Sequence, residues 1–324
     1  MRNFFEKFNT LNILIIGDVM MDAYLWGKVE RISPEAPVPV VSVRKKENRL
    51  GGAANVALNI QALGATPWLC SVIGDDMEGQ EFCRLLDVQQ MPREGILTVP
   101  GRPTTVKTRV IGGNQQIVRV DAEDDRVVRR ETTALLLEKV SGIISRHPIS
   151  VIIFEDYDKG VITEELIGEV VSMARKNGIP TIVDPKKRNF LCYRNVTLFK
   201  PNLKELREGL KVDVDAGNTA EIEEAVLTLQ ERLGAEQVMV TLSERGVYIR
   251  SGNGRKLIPA HIRDIADVSG AGDTVIATTA VCMASGFDEF TTAAIANLAG
   301  GLVCEHVGVV PIDKEQLLAE ALKL

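Results

Sequence analysis

The sequence predicts an α/β protein built on a doubly wound, mainly parallel sheet flanked by helices, with a small β-lid beside it. Three observations carry that expectation. From Ile149 onward, short β-rich apolar runs alternate with helical stretches. Near the front, the buried-type run Leu11 to Ile16 ends directly at Gly17-Asp18. Two further segments break the rhythm with proline and hairpin signals.

Taken in order, Leu11 to Ile16 reads as the first buried strand, which puts Asp18 and Asp22 just past its end, the edge where open parallel sheets bind ligands. Trp26 to Arg49 is punctuated by Pro34, Pro37 and Pro39 and leads to Val40-Val41-Ser42-Val43, an edge-type strand outside the main sheet. Thr104 to Val110 and Gln116 to Asp121 alternate apolar and polar residues around Gly112-Gly113-Asn114, a hairpin signal that completes the lid. Between them, Gly51-Gly52-Ala53-Ala54-Asn55 opens a largely apolar helix. Its glycines serve either close approach to a ligand or close helix–sheet packing.

Later come a strand at Val151 to Phe154, a helix at Thr163 to Lys176, strands at Pro180 to Val183 and Val196 to Phe199, and a helix at Glu221 to Arg232. Val238 to Thr241 is a further strand, Gly246 to Arg250 with Lys256 to Ala260 a hairpin, and Gly270 to Leu324 mainly helical. Nothing in repeats or composition divides the chain. A single domain over residues 1–324 is expected, with lid segments at about 26–49 and 104–121.

The 324 residues are 45% hydrophobic and carry a net charge of −6, so no basic field is available to track a nucleic-acid backbone. Five cysteines at irregular spacing suit reduced thiols, no zinc-ligand spacing occurs, and no apolar run reaches membrane-spanning length. A cytoplasmic protein without a membrane or nucleic-acid partner is expected. His147, His261 and His306 have no partner at triad or ligand spacing. Neither a Walker-A loop nor a G-x-G-x-x-G fingerprint is present.

Chemistry concentrates in Asp267-Val268-Ser269-Gly270-Ala271-Gly272-Asp273-Thr274, which leads into the apolar run Val275 to Ala284. Gly270, Ala271 and Gly272 put almost no side chain in front of a helix start, whose unpartnered N–H groups favour anions. Asp273 in that first turn can accept a proton from an attacking hydroxyl or can merely cap the helix. Asp156 and Asp184 each follow a strand, pointing to a polar ligand or standing as solvated loop carboxylates. Asn202 and Glu205, three residues apart at a helix start, suit either hydrated Mg²⁺ or a capping box.

In that order, the Gly51 to Asn55, Asn202 to Glu205 and Asp267 to Asp273 segments resemble the ribokinase-like (PfkB) family of carbohydrate kinases, over essentially the whole chain. Within the family, Gly17-Asp18-Val19-Met20-Met21-Asp22 and Arg31 to Val41 resemble members that act on heptose 7-phosphates. The resemblance implies ATP-dependent phosphorylation of the anomeric hydroxyl of D-glycero-D-manno-heptose 7-phosphate to the 1,7-bisphosphate, a step of ADP-heptose synthesis for the lipopolysaccharide core. It implies Asp273 as catalytic base and Gly270, Ala271 and Gly272 as anion hole. Asp18, Asp22, Gly52, Asn55 and Asp156 match the sugar side, and Lys186 matches a basic position near the phosphates. Asn202 and Glu205 match the pair that organises Mg²⁺ and the phosphates, acting on the ion through water.

On the nucleotide side, Thr241 and Ser243 match a turn and Asn297 an adenine-side position, while Asp267 matches a site where relatives hold a monovalent cation such as K⁺. Lys107, Arg109, Lys186 and Lys187 are the basic candidates for the resident phosphate. Pairing of the lid edges implies a homodimer. Many bacterial relatives carry a second, nucleotidyltransferase domain, and the chain to Leu324 is expected to be the kinase part alone. Other readings are another sugar or nucleoside kinase of the family and, from a different class, a non-catalytic sugar-binding regulator. Retention of Asp273 and the glycines argues against the regulator.

Overall fold

The apolar run near the front has almost no polar position to turn toward water, and it becomes a strand buried on both faces. In the computed structural model, which describes residues 1–113, 115–261 and 263–324, the first half of the chain runs α1 (Arg2–Lys7), β1 (Asn12–Gly17), β2 (Val19–Ile32), β3 (Pro39–Gly52), α2 (Ala53–Ala62), β4 (Thr66–Gly74), α3 (Met77–Val88), β5 (Ile96–Val99), β6 (Val106–Gly112), β7 (Gln115–Ala122) and α4 (Arg130–Arg146). The second half runs β8 (Ile149–Glu155), α5 (Glu164–Lys176), β9 (Thr181–Asp184), β10 (Leu198–Phe199), α6 (Leu203–Leu210), α7 (Thr219–Leu233), β11 (Gln237–Thr241), β12 (Val247–Ser251), β13 (Gly254–Ile258), α8 (Ala271–Ser285), α9 (Glu289–Val303) and α10 (Lys314–Ala321).

The main sheet has nine strands in the order β13-β12-β11-β10-β9-β8-β1-β4-β5. It is parallel from β11 to β5, with β12 and β13 added antiparallel at one edge. Side-chain alternation divides its residues between two cores. Ile13, Ile15, Val151, Ile153, Ile182 and Leu198 pack toward the layer of α2, α8 and α9. Leu14, Ile16, Ile152, Phe154, Val183 and Phe199 pack toward α4, α5, α6 and α7.

A second sheet of four strands has the order β3-β2-β6-β7. β2 leaves the end of β1 after a single residue, and β3 returns so that Gly52 pairs with Val19. Gly52 holds φ +59°, and a Cβ there would stand 2.5 Å from the Asp18 carbonyl oxygen, so the return to α2 needs glycine. The small sheet therefore grows from the ligand-side end of the central strand. Its outer half is exposed, as the burial along β2 falls away beyond Tyr24.

Two expectations are corrected. The strand–helix alternation begins well before Ile149, with β4, α3, β5 and α4 in place between Thr66 and Arg146. Pro67 sits at the start of β4, a position that proline tolerates, and Trp68 stacks on His147 with ring centroids 3.7 Å apart. Asp22 lies inside β2 rather than in a loop past a strand. The hairpin turn at Gly112-Gly113 joins β6 to β7, and Asn114 lies outside the described residues.

Candidate active site

α8 starts without a side-chain cap, from Gly270 in the left-handed region at φ +81°. A Cβ at Gly270 would stand 3.0 Å from Val309 Cγ1 and 3.2 Å from Asn55 Nδ2, so the position has neither the conformation nor the room for another residue. Among the described residues the N–H groups of Gly272 and Asp273 find no acceptor, while Thr274 N–H has already reached the Gly270 carbonyl. Two open amides at a helix start are a site for an anion.

Asp273 stands in this turn, 7% exposed. Its Oδ2 accepts from Asn55 Nδ2 at 2.6 Å and its Oδ1 from the Tyr157 hydroxyl at 2.7 Å. Burial pushes its pKa up to about 6, against the pull of those two donors. It is thus a carboxylate fixed in orientation, ionised at neutral pH and basic enough to take a proton.

Beneath α8, on the face to which Val151, Ile153 and Ile182 point, three charged side chains extend the strand ends. Glu155 closes β8, Asp184 closes β9 and Lys200 follows β10. Lys200 Nζ lies 2.6 Å from Asp184 and Lys186 Nζ 3.7 Å from it, and Lys186 also reaches Glu205 Oε1 at 2.5 Å. Burial works against the charge on both lysines, but their carboxylate partners outweigh it and hold both pKa values above normal. Glu155 is pushed well above the carboxylate range by burial and by Asp184 and Asp273 nearby, and its Oε2 has no partner among the described residues.

Asp18 and Asp156 fall on the opposite parity, with Leu14, Ile16, Ile152 and Phe154, and turn away from α8. Asp18 accepts from the backbone N–H groups of Tyr157, Lys159 and Val161. Burial, with Asp156 beside it, raises Asp18 to about 6 in spite of those amides. Asp156 accepts from Tyr193, Asn189 and its neighbour Asp158 N–H. Both carboxylates are engaged in holding the loop after β8. Glu155, Tyr157 and Lys200 are the residues that the sequence reading missed, and strand parity was the available signal for Glu155 and Lys200.

Residues 10–315 match the description pfkB family carbohydrate kinase. The chain belongs to the pfkB family of carbohydrate kinases. It is 41% identical over 317 residues to the bifunctional protein HldE of Magnetococcus marinus and 38% identical over 316 residues to that of Syntrophotalea carbinolica, in each case over 97% of this chain and 64% of the relative. The chain thus spans somewhat less than two thirds of those relatives. The crystal structure of phosphofructokinase-2 from Escherichia coli superimposes with a TM-score of 0.78 at 18% identity, covering 97% of this chain and 98% of that one, which establishes a ribokinase-like fold.

Family membership implies ATP and typically Mg²⁺. The open amides of α8 and the Lys186 ammonium fit a polyphosphate. Asn202 and Glu205 form a closed capping box: Asn202 Oδ1 accepts from Glu205 N–H and Glu205 Oε2 from Asn202 N–H, each at 2.8 Å. With Lys186 on its other oxygen, Glu205 has no oxygen left without a partner, and among the described residues no cluster of three or more histidine, cysteine or acidic side chains could hold a metal. The donor set fits a cation carried on phosphates and water rather than a protein cage.

Thr241 ends β11 and bridges to Asn202, Ser243 follows in a left-handed conformation at φ +53°, and Asn297 on α9 donates to the Pro259 carbonyl at 2.8 Å. Asp267 accepts from the N–H groups of Ser269 and Gly308, at 2.9 and 3.0 Å, and so ties the turn before α8 to the segment after α9. On the small sheet, Asp22 pairs with Arg109, and Lys107 stands 5.7 Å from the Tyr157 ring centroid. Lys187 is exposed. Among the described residues no helix is long and apolar enough to cross a membrane.

Proposed function

We propose that the chain transfers the γ-phosphoryl group of ATP to the anomeric hydroxyl of D-glycero-D-manno-heptose 7-phosphate, as a single kinase domain over residues 1–324. The observation that carries this reading is the buried Asp273, oriented by Asn55 and Tyr157 beside the open Gly272 and Asp273 amides. Phosphoryl transfer needs a positioned base and neutralised phosphate charge, and little other chemistry from the protein. In this reading Asp273 takes the proton of the attacking hydroxyl, and the Gly270 to Gly272 turn receives the transferred group. Lys186 faces the nucleotide phosphates, and Glu205 with Asn202 sets Lys186 and the hydration of Mg²⁺. The ion, when bound, neutralises phosphate charge.

The choice of substrate rests on the similarity to the bifunctional HldE proteins, of which this chain spans 64%. Asp22, Gly52 and Asn55 belong to the sugar side, with Lys107 and Arg109 of the lid meeting the resident phosphate, for which Arg109 offers a fork of donors. Thr241, Ser243 and Asn297 belong to the nucleotide side. A K⁺ site at the Asp267 turn accords with the phosphofructokinase-2 crystal structure in complex with potassium. Exposed Val29, Ile32, Val43, Val118 and Val120 on the small sheet suit a homodimer formed through the lid. Free thiols and ATP chemistry accord with the cytoplasm.

A coupled ADP-release assay across heptose 7-phosphate, fructose 6-phosphate, ribose and nucleosides tests the proposal. Turnover of the heptose phosphate well above the others is expected. Equal turnover of fructose 6-phosphate or ribose would reject the substrate and leave the kinase standing.

A further inference from the structure

Asn55 and Tyr157 grip Asp273 from two sides, and the Tyr157 side is built with unusual care. Its backbone N–H is held by Asp18 Oδ2 at 2.8 Å, and Asp18 also holds Lys159 and Val161. Asp156, the preceding residue, is anchored by Tyr193 and Asn189. The loop folds back through left-handed Asp158 and Gly160, at φ +55° and +80°. A Cβ at Gly160 would strike the Arg126 carbonyl oxygen, so that bend admits only glycine. The phenol ring then has the Lys107 and Lys186 ammonium groups 5.7 and 5.5 Å from its centroid. Two buried carboxylates, Asp18 and Asp156, thus serve to place one hydroxyl.

We infer that Tyr157 is a positioning residue for phosphoryl transfer, whose fixed hydroxyl sets the plane of the Asp273 carboxylate and keeps that carboxylate ionised. The inference rests on the reading of Asp273 as the base. A carboxylate has about four lone-pair sites, so Asn55 and Tyr157 take two and leave others for the acceptor hydroxyl. Held at both oxygens, the group cannot rotate about its Cβ–Cγ bond, and the proton-accepting direction stays fixed. The groups that bear on its charge are Asn55 from α2, Tyr157 from the loop after β8, Glu155 from β8, Asp184 from β9 and Lys200 after β10. Tyr157 itself remains a neutral donor, since burial and Asp273 raise its pKa well above normal.

Tyr157→Phe keeps the ring and its two cations and removes only the donor. Loss of a hydrogen bond to a charged group should lower kcat by about 10- to 100-fold, with KM for ATP and sugar within a few-fold of the parent. Because the lost donor favoured the ionised form, the acidic limb of the kcat profile should move up, by about one pH unit. A merely structural role would lower the melting temperature without moving that limb. Parental kcat, or a lowered kcat with an unmoved limb, would overturn the inference. If the phenylalanine variant fails to fold, monofluorinated tyrosine at position 157, of similar shape and a stronger donor, should move the limb down, and no movement would overturn it. Asp273→Asn separates the two readings. If that variant turns over normally, the base assignment fails and Tyr157 with it. If it is inactive while Tyr157→Phe behaves as the parent, only the Tyr157 assignment fails.

Discussion

Two helices begin at the ligand-side edge of the main sheet, and they begin in opposite ways. α6 opens with a complete capping box, Asn202 and Glu205 each accepting the other's backbone N–H. α8 opens from a left-handed glycine with no side-chain cap, and among the described residues the N–H groups of Gly272 and Asp273 stay open. A cap contributes typically ~1 kcal/mol, and α8 forgoes it. Its helix is instead held by burial, with every residue from Asp273 to Cys282 in the interior. A helix start carries roughly half a positive charge, which α6 satisfies within itself and α8 leaves for a ligand. Motif spacing alone leaves both starts open between a ligand site and a cap, whereas hydrogen bonding separates them.

The largest expected effect tests the open start. Asp273→Asn keeps shape and capping ability but cannot take a proton, so kcat should fall by about 10²- to 10⁴-fold with ATP and sugar affinities little changed. A kcat within a few-fold of the parent would make α8 a capped helix like α6.

The pH profile tests the same group without mutation. With Asp273 at about 6 in the free protein, kcat/KM should fall about tenfold per unit well below that value. Stability should respond in the other direction. Asp18 and Asp273 both have folded pKa values raised from 3.8 to about 6, so the folded state binds protons more readily between those limits. Their contribution therefore grows as pH falls from about 6 toward 4 and is absent above 6. Calorimetry of the parent against Asp273→Asn over that window should show the parent gaining stability relative to the variant as pH falls while its activity disappears, and a pH-independent difference would refute the assignment.

Glycine substitutions at the two ends of α8 sharpen the contrast. Gly270 and Gly286 both have positive φ, at +81° and +92°, so alanine at either should cost ~1–2 kcal/mol. At Gly286 the nearest atom to a new Cβ is Phe4 Cε1 at 3.9 Å, whereas at Gly270 the Cβ would crowd Asn55. Gly270→Ala should lose turnover by about tenfold or more, consistent with a displaced site group, while Gly286→Ala keeps it. Equal kinetic effects would argue against the Gly270 turn as the anion site.

The smallest effect belongs to α6. Glu205→Gln weakens the capping box and releases Lys186 from its 2.5 Å ion pair. A loss of ~1 kcal/mol in stability is expected, together with a lowered kcat and a changed Mg²⁺ dependence. A variant that melts earlier with normal kinetics would make α6 purely structural.

The sequence by itself determined the α/β class, because short apolar runs such as Leu11 to Ile16 and Val151 to Phe154, bounded by turn residues and alternating with helical stretches, suit strands covered on both faces. It also determined the start of α8, because glycines before an apolar run leave amides that nothing local can satisfy. β4, α3, β5 and α4 were harder to read, since Pro67 and Trp68 open a strand whose partner, β1, lies more than fifty residues away. Alternation along β8 distinguishes Glu155 from Asp156, yet which parity faces α8 is known only once α8 has docked. The tertiary structure alone decided that Asp18 and Asp156 serve a loop and that Glu205 serves a cap and a lysine. It also decided that Tyr157 reaches Asp273 across 116 residues of chain. Hydrogen bonds of that kind are set by sheet register and helix packing, and no local pattern encodes them.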